Sequence, residues 1–256
     1  MIKIYKIGGG ILDNPTELSL FLTDFSTIPG KKILVHGGGK EANQWLKKLN
    51  IEPIMIEGRR VTDSQTLEIV TQLYAGKLNK NIVAELQKYG LNCLGLSGAD
   101  ANAIQSKKRV VKTIDYGFVG DLNENSINTK FIQLLLNQNI TPVFCAITHD
   151  GNGQLLNTNA DTIASQMAKS MAKENEVELH FCFDKIGVLK DINDENSLIP
   201  KINLSLYKQL IDDKIIADGM LPKLENAFSV LQNGVKNIYL EHPRNIKTNI
   251  KTTLCL

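Results

Sequence analysis

Hydrophobic positions along the chain follow two alternating periods. A period-two run over 2–7 places Ile2, Ile4 and Lys6 on one side of a strand, and Leu18, Phe21, Leu22 and Phe25 then recur at helical spacing within Pro15 to Phe25. The pair of signals repeats as a strand over Lys32 to His36, a Gly37-Gly38-Gly39 turn and a helix through Leu49. Two linked helical segments and a strand over Leu91 to Leu96 come next. Such alternation builds βαβ units, so the fold class is α/β with a mostly parallel central sheet.

The middle of the chain breaks this rhythm. Ala103 to Gln105, Arg109 to Thr113 and Gly117 to Leu122 are short polar-flanked strands with no helix between them, the pattern of hairpins forming a lid over one sheet edge. Regular alternation resumes with a helix over Thr129 to Asn137, a strand over Thr141 to Ile147 and a glycine-bearing hairpin at Asp150 to Gly153. A helix over Ala160 to Lys173, a strand over Val177 to Phe183, helices at Leu204 to Asp212 and Pro222 to Gln232, and a strand at Asn237 to Leu240 complete the pattern. A soft boundary near 153–158 divides the chain into lobes of residues 1–155 and 156–256. No internal repeat or low-complexity tract is present.

Composition narrows the function classes. The chain has 256 residues, and its 29 basic against 27 acidic side chains leave no cationic excess to condense on a polyphosphate backbone. Nucleic acid and membrane surfaces are therefore not expected partners. No stretch is apolar enough for a membrane span or a leader, so a cytoplasmic location is expected. Cys93, Cys145, Cys182 and Cys255 form no C-x-x-C pair and sit in apolar surroundings, as reduced core residues do. The four histidines show no metal-ligand spacing, and Ser97 lacks the glycine pattern of a nucleophile elbow, so no zinc site or hydrolase triad is assigned.

Several segments could carry chemistry. Lys6 lies in line with buried aliphatics just before Gly8-Gly9-Gly10, where an ammonium either escapes to water past the strand end or meets an anion held by the turn's amides. His36-Gly37-Gly38-Gly39 puts unpaired N–H groups at the C-terminal edge of the sheet, where ligands of open α/β sheets bind. Neither turn is a P-loop or a G-x-G-x-x-G fingerprint. Lys223, after Pro222, falls in a first helical turn, which disfavours a cation unless a phosphate arrives. Asn157-Thr158-Asn159-Ala160-Asp161 opens a helix and reads as a cap, with a further role for its alternate polar positions. Arg59-Arg60 before Asp63 is either a carboxylate clamp or a solvated pair.

Taken in order, Lys6-Ile7-Gly8-Gly9, His36-Gly37-Gly38-Gly39, Arg60-Val61-Thr62, Asn157 to Asp161 and Asp218 to Lys223 resemble the motif series of the acetylglutamate kinases, a branch of the amino-acid kinase family, across nearly the whole chain. The resemblance implies a three-layer αβα sandwich, with the acceptor in the N-terminal lobe, which also dimerises, and ATP in the C-terminal lobe. It further implies that Lys6 and Lys223 stabilise the transferring phosphoryl group while Asp161 orients both. Gly8, Gly9, Gly38 and Gly39 would offer backbone N–H groups, and Arg60, Asn157 and Asn159 would hold the acylglutamate. Asp184, Lys185, Gly187 and Leu189, with Ile215 and Ala217, would contact the nucleotide, whose phosphates carry Mg²⁺.

A carboxylate acceptor is already ionised at neutral pH, so the absence of a candidate general base is expected. Two departures from the family pattern are Lys185 directly after Asp184 and Ala99-Asp100-Ala101 in place of a more glycine-rich loop. Some similar proteins use N-succinylglutamate, and the basic run Lys107-Lys108-Arg109 with Lys112 could meet an extra carboxylate or form a solvated hairpin. Arginine-inhibited relatives carry a helix before the first strand; here the strand begins at Ile2, which by resemblance implies a homodimer without arginine feedback. Competing expectations are another amino-acid kinase acting on carbamate, aspartate, free glutamate or a nucleotide monophosphate, and a non-catalytic sensor on the same scaffold.

Overall fold

The structure is a computed structural model, and it describes residues 1–56, 59–213, 215–216 and 220–256, apart from the side chain of Pro222. Eight strands form the central sheet: β1 (Ile2–Ile7), β2 (Lys31–His36), β3 (Cys93–Leu96), β4 (Thr141–Cys145), β5 (Val177–Cys182), β6 (Lys201–Ile202), β7 (Asn237–Glu241) and β8 (Thr252–Leu254). Their order is β6-β8-β7-β5-β1-β2-β4-β3. The six strands from β7 to β3 are parallel; β8 runs antiparallel to β7 and carries β6 parallel to itself.

Helices cover both faces, and strand alternation decides which side chains meet which layer. Ile2 and Ile4 of β1, with Ile33 and Val35 of β2, belong to one core with α3 (Ser64–Thr71), α5 (Thr129–Asn137), α6 (Ala160–Ala172) and α8 (Leu221–Gln232). Tyr5, Ile7 and Leu34 point the other way, into a core with α1 (Pro15–Thr27) and α4 (Asn79–Lys88). Helix α1 starts where Asn14 accepts from the N–H groups of Thr16 and Glu17, with Pro15 in the first turn. It buries Phe21, Leu22 and Phe25 completely, each worth about 2 kcal/mol in transfer terms. A shorter α2 (Glu41–Lys48) follows β2, and α7 (Leu204–Asp212) is capped by Asn203.

The long segment between α2 and β3 contains an unusual link. Between α3 and α4 the chain forms a π-helical turn over Gln72–Leu78, so the two linked helical segments are one nearly continuous rod with a widened middle. A two-residue antiparallel pair, Met55–Ile56 with Arg59–Arg60, precedes it. The lid is smaller than its β-branched composition predicts: pairing is limited to Lys107–Lys108 with Gly120–Asp121, and Arg109 to Thr113 is not a strand. Val110 there is 76% exposed, so a β-branched run without a partner or an apolar face stays irregular. Ala103 to Gln105 makes only isolated bridges, Ile104 to Ile127 and Gln105 to His149.

The expected strand over Thr141 to Ile147 divides at Ala146, whose carbonyl accepts from the Thr158 N–H at 3.0 Å. Before this break the chain pairs in the main sheet. After it, Ile147–His149 pairs with Leu155–Asn157 in a hairpin through the Asp150 to Gly153 turn. That switch carries the chain from the sheet to the helix α6 cap. Cys93, Cys145 and Cys182 are buried free thiols, as the sequence implies, and burial raises the pKa of all three.

Candidate active site

The parallel strands β1, β2 and β4 end at the same edge of the sheet, which gathers their following turns. Gly8 leads into one helical turn, Gly9–Leu12, so Gly9 and Gly10 are helical residues where the sequence suggested a plain turn. Gly39 has φ +60°, the left-handed region that glycine occupies without penalty. The two turns touch: a Cβ at Gly9 would lie 2.9 Å from the Cα of Gly39. Asp13 locks them together by accepting from the Lys40 N–H at 2.9 and 3.0 Å through its two carboxylate oxygens.

Lys6 does not escape to water past the strand end; it meets a carboxylate of the chain itself. Its Nζ lies 2.9 Å from Asp161 Oδ1, with side-chain exposures of 15% and 36%. Asp161 sits in the first turn of α6, where the helix dipole favours a carboxylate. Asn159 caps that helix by accepting from the Thr162 N–H at 3.1 Å. Lys223 occupies the third position of α8, with Nζ 5.8 Å from the centre of the Phe183 ring. Lys6, Asp161 and Lys223 together line a narrow cavity of about 50 Å³, floored by Phe181, Cys182 and Phe183. Among the described residues Asp161 forms an ion pair with Lys6 and none with Lys223.

A larger cavity of about 320 Å³ opens on the other side of the same pair, so Lys6 and Asp161 line both. Gly8, Gly9, Gly38 and Gly39 form one wall, and Arg60, Asn157 and Asn159 another. Arg60 is only 8% exposed, which rules out the solvated reading for this arginine though not for the half-buried Arg59, and the Arg60 Nη1 is buried with no hydrogen-bond partner. An unsatisfied buried guanidinium nitrogen is costly, and a ligand carboxylate is the group that fits its fork. Arg59 lines the same cavity. Asn157 donates from Nδ2 to Thr62 Oγ1 at 3.0 Å, and Thr62 donates to the Arg60 carbonyl at 3.0 Å, so Asn157 and Arg60 are tied through one threonine. Behind Thr158, three buried hydroxyls of Ser106, Thr148 and Thr158 form a chain with spacings of 2.6 and 2.7 Å.

His36 supports the second glycine turn from below. Its Nδ1–H donates to the Gly37 carbonyl at 2.8 Å, and its Nε2 accepts from Asn79 Nδ2 at 3.0 Å, which also donates to the Val143 carbonyl. Burial lowers its pKa to about 4, so the ring is neutral at physiological pH and serves as a brace. Sequence reasoning missed Tyr74 and Asp13, which contact the glycine turns, and Asn79, which holds the His36 ring; all three contacts are made only by folding. The glycines themselves carry a signal: Gly38 admits no Cβ, because one there would lie 1.5 Å from Tyr74 Cε1.

The expected nucleotide residues are placed less centrally. Asp184, Lys185, Gly187, Leu189 and Ile215 line neither of the two cavities, and Ala217 lies outside the described residues, as do Asp218 and Gly219 of the last motif. Lys185 donates to the Ile192 carbonyl at 3.2 Å. Gly187 is packed against the β8 edge, with a Cβ there 2.6 Å from Thr252 Oγ1, and Leu189 bridges to Leu198. No three His, Cys, Asp or Glu side chains gather to hold a metal ion among the described residues. Asp161 is the one carboxylate lining either cavity among the described residues, and Lys6 already engages it. Such a donor set suits an ion that arrives with phosphates rather than a protein-built cage.

Comparison with known proteins identifies the family. The family model described as the amino acid kinase family matches residues 1–242. An acetylglutamate kinase of Phocaeicola vulgatus is 49% identical over 239 residues, covering 93% of this chain and 92% of its own. One of Bacteroides thetaiotaomicron is 45% identical over 253 residues, covering 99% and 98%. Among solved structures, smu.665 from Streptococcus mutans UA159 superposes with a TM-score of 0.78 at 25% identity, covering 99% of this chain and 98% of that one.

Proposed function

The chain belongs to the amino acid kinase family, and from that premise we propose that it transfers the γ-phosphoryl group of ATP to the side-chain carboxylate of N-acetyl-L-glutamate, giving the acyl phosphate, a step of arginine biosynthesis. One observation carries the reading: the Lys6–Asp161 pair lines both of two cavities, one with glycine amides and a guanidinium whose Nη1 has no partner, the other with a second ammonium. A phosphoryl group crossing between the two cavities passes that pair. The acceptor's α-carboxylate pairs with Arg60, Asn157 and Asn159 hold the acylamino group, and the reacting carboxylate lies against Gly8, Gly9, Gly38 and Gly39.

An ionised carboxylate needs no base, so catalysis reduces to alignment and charge neutralisation. Lys6 meets the phosphoryl oxygens from the acceptor side and Lys223 from the nucleotide side, while Asp161 fixes Lys6 against its strand end. Mg²⁺ bound to the nucleotide phosphates supplies further neutralisation. ATP occupies the side of the sheet bounded by 183–189 and the start of α8, so residues 156–256 provide the nucleotide lobe and residues 1–155 the acceptor lobe. The outer edge of β3, with Leu94 exposed and no further strand paired to it among the described residues, suits assembly as a homodimer.

The test is ADP release from ATP and Mg²⁺ with N-acetylglutamate, and with N-succinylglutamate in parallel to identify the acyl group. Saturable, acceptor-dependent turnover with the first is expected. ADP release that neither acceptor stimulates would remove the assignment.

A further inference from the structure

The residue opposite Gly38 has no role in the transfer as described so far. Tyr74 is nearly fully buried, in the π-helical turn between α3 and α4, and it lines the acceptor cavity. A π turn shifts every following side chain by one residue, about 100° around the helix axis, relative to an unbroken α-helix. Such an insertion costs regular hydrogen bonding and is kept where it aims a side chain. Here the Cε1–Cζ edge of the ring lies so close to Gly38 that no Cβ fits between them. The phenol borders the Arg60 guanidinium, which partly offsets the rise in the phenol's pKa caused by burial. Tyr74 thus touches both ends of the acceptor path, the arginine that receives one carboxylate and the glycine turn that presents the other. A tyrosine ring held on two sides has few rotamers to lose, so it serves as a rigid spacer.

Resting on the acceptor assignment above, we infer that Tyr74 is a specificity-determining residue that sets the backbone length of the acceptor. Its ring fixes the separation between Arg60 and the Gly38 turn, so a five-carbon N-acyl dicarboxylate is chosen over its four- and six-carbon homologues. One methylene in an apolar pocket discriminates by roughly 10–200-fold, which a single wall residue can supply. A purely structural tyrosine would behave differently, lowering activity on every acceptor in proportion.

Wild type, Tyr74→Phe and Tyr74→Leu are assayed on N-acetylaspartate, N-acetylglutamate and N-acetyl-2-aminoadipate, with melting temperature measured alongside. Tyr74→Leu should shift the kcat/KM ratio of aminoadipate to glutamate by about tenfold or more towards the longer acceptor. Tyr74→Phe should keep the length ratio within about twofold and raise KM for N-acetylglutamate, leaving KM for ATP unchanged. A folded Tyr74→Leu enzyme whose ratio is unchanged overturns the inference. Should the leucine variant fail to fold, Tyr74→Met takes its place, and an unchanged ratio there overturns the inference equally. Wild type inactive on all three acceptors would overturn the acceptor assignment and this inference with it, whereas an active wild type with unaltered variant ratios defeats only the second.

Discussion

Two charge clusters on the same sheet are built from neighbouring strands and finished in opposite ways. At the edge, Lys6, Lys223 and Arg60 line cavities with Asp161 as the anionic partner, and a guanidinium nitrogen remains without a bond. In the interior, Glu241 of β7 is fully buried and satisfied from two sides, by His180 Nδ1–H at 2.6 Å and Lys251 Nζ at 3.3 Å. The His180 ring is stacked on Tyr5, with centres 4.1 Å apart, and tilted against Tyr239 at 4.6 Å; Tyr239 donates to Glu178 at 3.1 Å. Burying a charge costs several kcal/mol unless partners are supplied, and here the Glu241 carboxylate finds both of its partners within the fold, while His180 Nε2 stays buried without a hydrogen bond. The edge cluster leaves its cations in excess, and under the proposed function the acceptor and the phosphates are the partners that complete it. The contrast lies in charge: at the edge Lys6, Lys223 and Arg60 face one carboxylate, whereas in the interior the Glu241 carboxylate is matched by His180 and Lys251.

Substitutions in the two clusters should therefore fail in different observables. Lys6→Met removes a cation that is needed when phosphoryl charge develops, and kcat should fall on the order of 10³-fold with the melting temperature little changed. A kcat within tenfold of wild type would erase the distinction between the clusters. Glu241→Ala breaks a buried pair and should cost about 3 kcal/mol in urea unfolding at constant m-value, while the folded fraction keeps its kcat.

His36 lies between these extremes, a buried group held neutral chiefly by desolvation, with the Gly37 carbonyl opposing the shift. Its folded pKa of about 4 is below its ordinary value of 6.5, so the unfolded chain binds more protons between those values. Stability is then level above pH 6.5 and declines as pH falls towards 4, by about 2 kcal/mol between pH 8 and pH 5. His36→Gln should flatten that slope in pH-dependent unfolding, and an unaltered slope would assign it elsewhere. The smallest effect is expected from Arg60→Lys, which keeps the charge but loses the planar fork: KM for the acceptor should rise about tenfold, near 1.4 kcal/mol, with KM for ATP unchanged.

Features governed by backbone chemistry were legible in the sequence. Helix α5 spans Thr129–Asn137 and α7 spans Leu204–Asp212 as their periodicity predicts, because caps and apolar spacing are local signals. The glycine turns and the Asn157 to Asp161 run were readable for the same reason. Strands β6 and β8 were not, since Lys201–Ile202 and Thr252–Leu254 are too short to show a period and exist only through their pairing. Arg60 was left open between a clamp and a solvated pair, because its burial is decided by tertiary neighbours such as Tyr74. The π turn over Gln72–Leu78 has a composition no different from an α-helix with one glycine, and only packing against Gly38 reveals it. Conversely, Val110 and Val111 advertised a strand that nothing among the described residues pairs with.

The position of β1 has a consequence for how the chain reaches its native state. Residues 2–7 pair along their full length with 31–36 on one side and with 177–182 on the other. The second pairing joins segments far apart in sequence, a high contact-order closure that is slow to form. During synthesis the first strand therefore waits, with one hydrogen-bonding edge bare, until more than half of the polypeptide has been made. That interval exposes it to misassociation. A nascent chain in that state cannot yet arrange Lys6 beside Asp161, so phosphoryl chemistry begins only after the interior has closed.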